Sequence, residues 1–278
     1  MKNKVLLLTV VASLAAPTFA FANSAILRAN RELGIALGGQ SLSYQEYNPR
    51  VSMNPLDSES GKQPALKLRF SLQGSLFGMR NLYTHVALSY AQGSTHYQGL
   101  SQNLVTNATA PLSASTHDDT YSGSVRFGKG FVFGENCNYQ LTPELVYSYD
   151  EWHRNVGSNT GLGYLEVYKH QAAGVGLMGQ AAYGRWVFGL TLTGEKTFSA
   201  SMSSPFAQSL SLGGRYANSE ELNVDYRMSH SQHLTLALQH SHFLYGHSAV
   251  VAAQGSYLQE PSSETNLNSV YAGYAWSF

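Results

Sequence analysis

Apolar and polar residues trade places with a period of two along much of the chain. Leu66, Leu68, Phe70 and Leu72 alternate with Lys67, Arg69, Ser71 and Gln73. Leu222, Val224, Tyr226 and Met228 alternate with Asn223, Asp225 and Arg227, and Leu234, Leu236 and Leu238 with Thr235, Ala237 and Gln239. The same rhythm runs from Trp186 to Thr193 and from Ser124 to Gly128. A period of two puts successive side chains on opposite faces of a strand. A soluble sandwich alternates too, but its strands average about 5–6 residues. These segments reach the roughly 9–11 residues that a tilted strand needs to cross a bilayer. Their polar positions mix small residues with opposed charges, as a lumen would. Tyr83, Tyr90, Tyr97, Tyr121, Tyr147, Tyr149, Tyr183 and Trp186 gather toward segment ends, where interfacial girdles sit. The pattern predicts an all-β, antiparallel, up-and-down transmembrane β-barrel.

Strand starts fall near residues 32, 64, 81, 119, 138, 163, 185, 219, 233 and 267, which gives ten strands. Twelve is the runner-up, because Ser209–Tyr216 and Ser248–Leu258 could supply two more. Short turns are expected at Gly78–Asn81, Gly134–Asn138, Tyr183–Arg185 and Ser229–Gln232. Longer loops are expected at about 48–63, 97–118, 152–162, 198–218 and 247–266. That alternation matches short periplasmic turns and longer extracellular loops. No linker divides the chain, so residues 23–278 form one barrel domain.

Residues 1–22 have a different character. Lys2 and Lys4 precede an apolar run from Val5 to Ala16, Pro17 interrupts it, and Ala20-Phe21-Ala22 is a small-x-small cleavage site. This reads as a signal peptide, with the mature chain starting at Asn23. The run is too short to span a bilayer, and no cysteine follows it to carry a lipid anchor. The remainder has no stretch near the roughly 20 apolar residues of a spanning helix. With 17 basic and 17 acidic residues the charges balance, which argues against a nucleic-acid partner. The 18 tyrosines, 26 glycines and only 12% charged residues suit a barrel, in which alternate residues face lipid. Cys137 is the one cysteine, so neither a disulfide within the chain nor a cysteine-rich zinc site can form. The glycine pairs Gly174/Gly176 and Gly213/Gly214 lack the strand–turn–helix setting of a phosphate loop.

The last segment has Val270, Ala272, Tyr274, Trp276 and Phe278 on one face and stops at the aromatic. Here the chain resembles Gram-negative outer-membrane barrel proteins, in which such a terminal strand is the signal read by the barrel assembly machinery. The resemblance extends to the class and identifies no subfamily. It implies Sec-type export, handling by periplasmic chaperones, and a monomeric barrel in the outer membrane among lipid and lipopolysaccharide. Physically, a closing strand needs a defined register, and alternating aromatics provide one.

The parity of the alternation assigns Lys67, Arg69, Arg126, Glu144, Glu195, Asp225 and Arg227 to the lumen, with Glu32 and His85 beside them. Opposed charges in so narrow a barrel should pair and fill it. Candidate chemistry is sparse. Omptin proteases, also ten-stranded, carry an Asp pair and an Asp-x-His pair at the outer lip. This chain offers His117-Asp118-Asp119 and Asp150-Glu151-Trp152-His153, so Asp118, Asp119, Asp150 and His153 are the catalytic candidates, at spacings that differ from that pattern. His240 and His242 flank Ser241 on one strand face, but no carboxylate or cysteine at matched spacing makes them a deacylase centre or a metal pair. No metal and no cofactor is expected. The reading favoured is a non-enzymatic surface barrel whose extracellular loops bind or adhere. The alternatives are a narrow channel for small solutes and, last, a barrel enzyme. Deleting Phe278 is expected to impair assembly, visible as loss of heat-modifiable gel migration; normal barrel yield would contradict the reading.

Overall fold

The computed structural model describes residues 22–47, 55–102, 108–161, 163–253 and 256–278. Residues 1–21 of the expected signal peptide, and 48–54 of the first expected loop, lie outside the described residues. A short helix α1 (Ser24–Ala29) is followed by β1 (Glu32–Tyr47), β2 (Asp57–Leu76), β3 (Met79–Gln102) and β4 (Thr109–Lys129). Then come β5 (Phe131–Phe133), β6 (Tyr139–Val156), β7 (Tyr164–Tyr183), β8 (Trp186–Ser204) and β9 (Ala207–Ser211). The chain ends with β10 (Gly213–Arg227), β11 (Gln232–Gly246), β12 (Val251–Ala253), β13 (Ser256–Leu258) and β14 (Ser262–Ser277).

Strands β1, β2, β3, β4, β6, β7, β8, β10, β11 and β14 pair antiparallel in that order, and β14 returns to β1 to close a ten-strand barrel. Closure runs in one register from Glu32 opposite Ser277 to Tyr47 opposite Ser262. The Phe278 amide donates to the Arg31 carbonyl at 3.1 Å, and its ring stacks on Phe70 at 5.8 Å. The terminal aromatic therefore seals the seam between the last strand and the first two.

Outward side chains form an exposed apolar band that includes Leu33, Ile35, Leu37, Leu68, Phe70, Leu72, Leu190, Leu192, Leu234, Leu236 and Val270. A continuous exposed apolar band of this kind suits hydrocarbon rather than water. Tyr90 and Tyr121, 5.0 Å apart, mark one rim, while Tyr183 and Trp186 mark the other. Two of the expected girdle residues belong elsewhere: Tyr83 and Tyr97 point inward and are buried.

Three of the short turns occur where the alternation places them, while the first, expected at Gly78–Asn81, lies at Phe77–Gly78 because β3 already starts at Met79. The long loops do not fall where expected. β2 begins at Asp57 instead of 64, β4 at Thr109 instead of 119, β10 at Gly213 instead of 219, and β14 at Ser262 instead of 267. β3, β6 and β8 likewise continue through 102, 156 and 204, into the expected loops. Apart from the first residues of β3, the added residues lie at the long-loop end. Above the Tyr90–Tyr121 level the outward positions of β3 are Gln92, Ser94, His96 and Gln98, so both faces are polar and the alternation fades. Backbone pairing continues regardless, because it does not depend on side-chain contrast. Of the two extra strands considered, Ser209–Tyr216 divides between β9 and β10, and 248–258 contributes the separate β12–β13 hairpin.

Closure also requires room at Gly38, which faces Tyr271 in the β1–β14 ladder. A Cβ there would overlap the Val270 carbonyl oxygen and the Tyr271 ring. Gly38→Val is expected to cost at least about 1–3 kcal/mol and to lower the yield of heat-modifiable barrel. Gly194→Val, at an open outward position, should fold like the native chain; equal yields for the two variants would refute the steric account.

Candidate functional site

Among the described residues, the lumen gathers most of the buried charged groups, and it is filled in levels. At the short-turn end α1 closes the bottom. Its N-cap Asn23 accepts from the Ala25 amide at 2.8 Å, and Ile26 packs against Val132 and Val187. Above it is a knot of amides. Asn30 Nδ2 donates to Gln73 at 2.6 Å and to Gln180 at 2.7 Å, and Gln73 Nε2 donates to Gln140 at 2.9 Å. Gln73 is 0% exposed and Gln140 1%.

The next level holds most of the charges assigned to the lumen from the sequence. Arg69 lies 2.6 Å from Glu32, Arg126 lies 3.7 Å from Glu144, and His233 lies 2.6 Å from Asp225. Ser71 and His85 Nδ1 are 2.9 Å apart. Lys67 bonds Glu221 at 2.6 Å and Gln239 at 3.0 Å, beside a cluster of Ala36, Ala65, Ala91, Ala237 and Tyr271. The small alanines give the lysine and the tyrosine room to cross the barrel. Glu195 accepts from Ser148 at 2.8 Å. Arg227 sits at the short-turn end of β10, partly exposed. Glu221 and His233, partners of Lys67 and Asp225, were missing from the sequence reading although both share the inward parity.

Higher up lies a cavity of about 110 Å³ lined in part by Ser122, Ser148, Asp150, His170, Glu195 and Ser219. Asp150 accepts from Ser122 at 2.5 Å and lies 3.3 Å from His170, whose Nδ1 is 2.6 Å from the Tyr245 hydroxyl.

Above the apolar band, the long-loop end is closed by Arg154. Its guanidinium lies 2.7 Å from Glu59, 2.9 Å from Glu166 and 3.5 Å from Glu46. Tyr44, Tyr97 and Trp152 rings surround it at 4.7–5.5 Å. Asp118 accepts from Trp152 Nε1 at 2.8 Å. The Thr95 hydroxyl lies 2.5 Å from Glu59 and 2.6 Å from Asp118. One hydroxyl has one proton, so it cannot donate to both carboxylates. A proton on Asp118 resolves the conflict. Burial, with the Glu59 charge second, pushes Asp118 up to about 8, and burial with the Glu166 charge pushes Glu260 up to about 8. This cluster went unseen in the sequence, where β6 was expected to stop before Arg154.

The four catalytic candidates do not converge. Asp118 and Asp150 point inward at different levels. Asp119 and His153 are neighbours in the β4–β6 ladder but face outward, Asp119 accepting from Tyr90 at 2.7 Å and His153 lying 2.6 Å from Glu151. The outward His240 and His242 bond Asn268 at 2.9 Å, and Asn218 and Glu264 at 3.2 and 3.1 Å. The two pairs of candidates, Asp118 with Asp150 and Asp119 with His153, therefore lie on opposite sides of the barrel wall.

No family model matches this chain, and no curated protein matches it. Among solved structures, the outer-membrane protease OmpT of Escherichia coli superposes with a TM-score of 0.64 at 12% identity, over 94% of this chain and 100% of that one. The transport unit of the autotransporter AIDA-I from Escherichia coli gives 0.45 at 13% identity, over 98% and 97%. Ail, the attachment invasion locus protein of Yersinia pestis, gives 0.30 at 8% identity, over 88% and 99%. The first similarity establishes the fold, that of a Gram-negative outer-membrane barrel, and at 12% identity it establishes the fold alone.

Arg154→Met should leave the surrounding carboxyls uncompensated and cost about 3–5 kcal/mol, measured by denaturant unfolding of the refolded barrel. The native chain has its own pH signature. Carboxyls raised by folding stabilise fully below their unfolded range, about 4, and that contribution is lost as pH rises through 8. The unfolding midpoint should therefore fall between pH 5 and 9, and Asp118→Asn should flatten the decline; a midpoint that rises over that interval would contradict the assignment.

Proposed function

We propose that this chain is an outer-membrane surface protein without enzymatic turnover, whose lumen is structural and whose long-loop end presents a binding platform to the exterior. The observation that carries this reading is the burial of inward side chains at three heights. Gln140 is 1% exposed, Glu144 4% and Arg154 2%. A water column conducting ions would leave such groups accessible to solvent. The apolar band, its aromatic rims and the terminal aromatic strand support insertion in the outer membrane.

The platform stands on strands far longer than a crossing demands. β3 has 24 residues and β4 has 21, against roughly 9–11 for a span. Their outward upper faces carry Gln92, His96, Gln98 and His117, cross-linked by 3.3 Å contacts from Gln92 to His117 and from Gln98 to His96. An exposed surface of amides, imidazoles and serine hydroxyls fits a hydroxyl-rich ligand, such as a cell-surface glycan, better than an apolar one.

Purified barrel in a planar bilayer should show no stable conductance steps; regular steps would favour the channel reading. Cells displaying the barrel should bind glycan-coated surfaces, and His96→Ala/His117→Ala should abolish the binding while heat-modifiable migration stays intact. Peptide or lipid A hydrolysis that disappears on Asp118→Ala or His153→Ala would instead establish an enzyme.

A further inference from the structure

The lower lumen contains three groups whose arrangement the ion-pair filling leaves unexplained. Glu32 opens β1, Asp225 lies near the end of β10, and His233 lies near the start of β11, across the turn that joins those strands. All three are buried, at 2%, 3% and 1% exposure. One atom from each, a carboxylate oxygen from Glu32 and from Asp225 and a ring nitrogen from His233, lies within 4.8 Å of the others.

The hydrogen-bond inventory is uneven. Glu32 Oε1 lies 2.6 Å from Arg69, and Asp225 Oδ1 lies 2.6 Å from His233 Nδ1. His233 Nε2 reaches Ser277 Oγ at 3.1 Å. The second oxygen of each carboxylate, Glu32 Oε2 and Asp225 Oδ2, is buried with no partner. A buried carboxylate oxygen without a donor is costly, and two of them side by side also repel. Arg69 faces one oxygen of Glu32 and His233 faces one oxygen of Asp225, so it is the two remaining oxygens that lack a donor. A cation between the two carboxyls would serve both.

We propose that Glu32, Asp225 and His233 form a binding site for a divalent metal ion, contrary to the expectation of none from the sequence. Two carboxylate oxygens and an imidazole nitrogen make a donor set suited to zinc and its first-row neighbours, at bonds of about 2.0–2.2 Å. Two such bonds span at most about 4.4 Å, so small rotamer adjustments close the set around an ion. His233 Nδ1 is hydrogen-bonded to Asp225 Oδ1, so an ion binding there would displace the proton between them, released to solvent, while Nε2–H stays against Ser277 Oγ. In the barrel order, β1 and β10 are separated by β14 and β11. An ion held by β1, β10 and β11, with Ser277 of β14 against His233, would therefore clamp the four strands beside the closing seam.

The test uses the refolded full-length barrel, stripped with chelator and titrated with zinc alone. The expected result is one tightly bound zinc per chain and a rise in the temperature at which heat-modifiable migration is lost. Asp225→Asn and Glu32→Gln should each weaken zinc binding by at least about tenfold. Glu221→Gln, which removes a half-buried lumen carboxylate away from the site, should keep it; retained zinc there shows that a perturbed lumen alone does not abolish binding. Three results would overturn the proposal. One is no zinc bound by the native chain. Another is zinc bound equally by both site variants, which would place it elsewhere, as at His240 and His242. The third is Asp225→Asn raising stability with no response to zinc in either protein, the signature of two carboxyls sharing a proton.

Discussion

Everything in this molecule depends on the pairing of β14 with β1. In hydrocarbon an unpaired backbone N–H or C=O has no water to turn to, so an open sheet edge in the apolar band is not viable. Sixteen paired positions from Glu32–Ser277 to Tyr47–Ser262 remove that edge. Gly38 gives way to the Tyr271 ring, and Phe278 covers the seam from outside against Phe70. Once the cylinder is closed, the outward residues must be apolar through the band. The inward residues must satisfy one another.

That second requirement explains the interior. A ten-strand cylinder is too narrow for bulk water around buried charges, so each ionised group needs a partner within hydrogen-bonding reach. Lys67 finds Glu221, Arg69 finds Glu32, and Arg126 lies near Glu144. At the upper end the balance tips, because Glu46, Glu59 and Glu166 share the one guanidinium of Arg154. Burial raises the carboxyls of Asp118 and Glu260 there, which lessens the excess of negative charge. The same logic, applied to the two free oxygens of Glu32 and Asp225, calls for a cation at the lower end.

The transmembrane half was legible because lipid imposes contrast. Leu66 to Gln73 could be placed on the correct faces from parity alone, and the short turns followed. The upper half was illegible for the complementary reason: with Gln, Ser and His outside, and Glu, Asp and Arg inside, period two carries no hydropathy signal. Arg154 is instructive. It has the same parity as Glu144 and Asp150 on one strand, so extending the inward series by two residues would have found it. His233 and Glu221 were available by the same rule. What parity cannot supply is height and partner, and for that reason Asp119 and His153, close in sequence to Asp118 and Asp150, turn out to face the opposite side of the wall. The long-loop chemistry that would name a ligand has no such rule behind it.

A lumen filled up to Arg154 should make the long-loop end a rigid continuation of the barrel. Backbone amide hydrogen exchange on the folded protein in detergent micelles tests it most directly. The account predicts that amides of β3 and β4 above the Tyr90–Tyr121 level, and of β6 around Arg154, exchange nearly as slowly as those within the apolar band. Fast exchange throughout that upper region, with protection confined to the band, would contradict it.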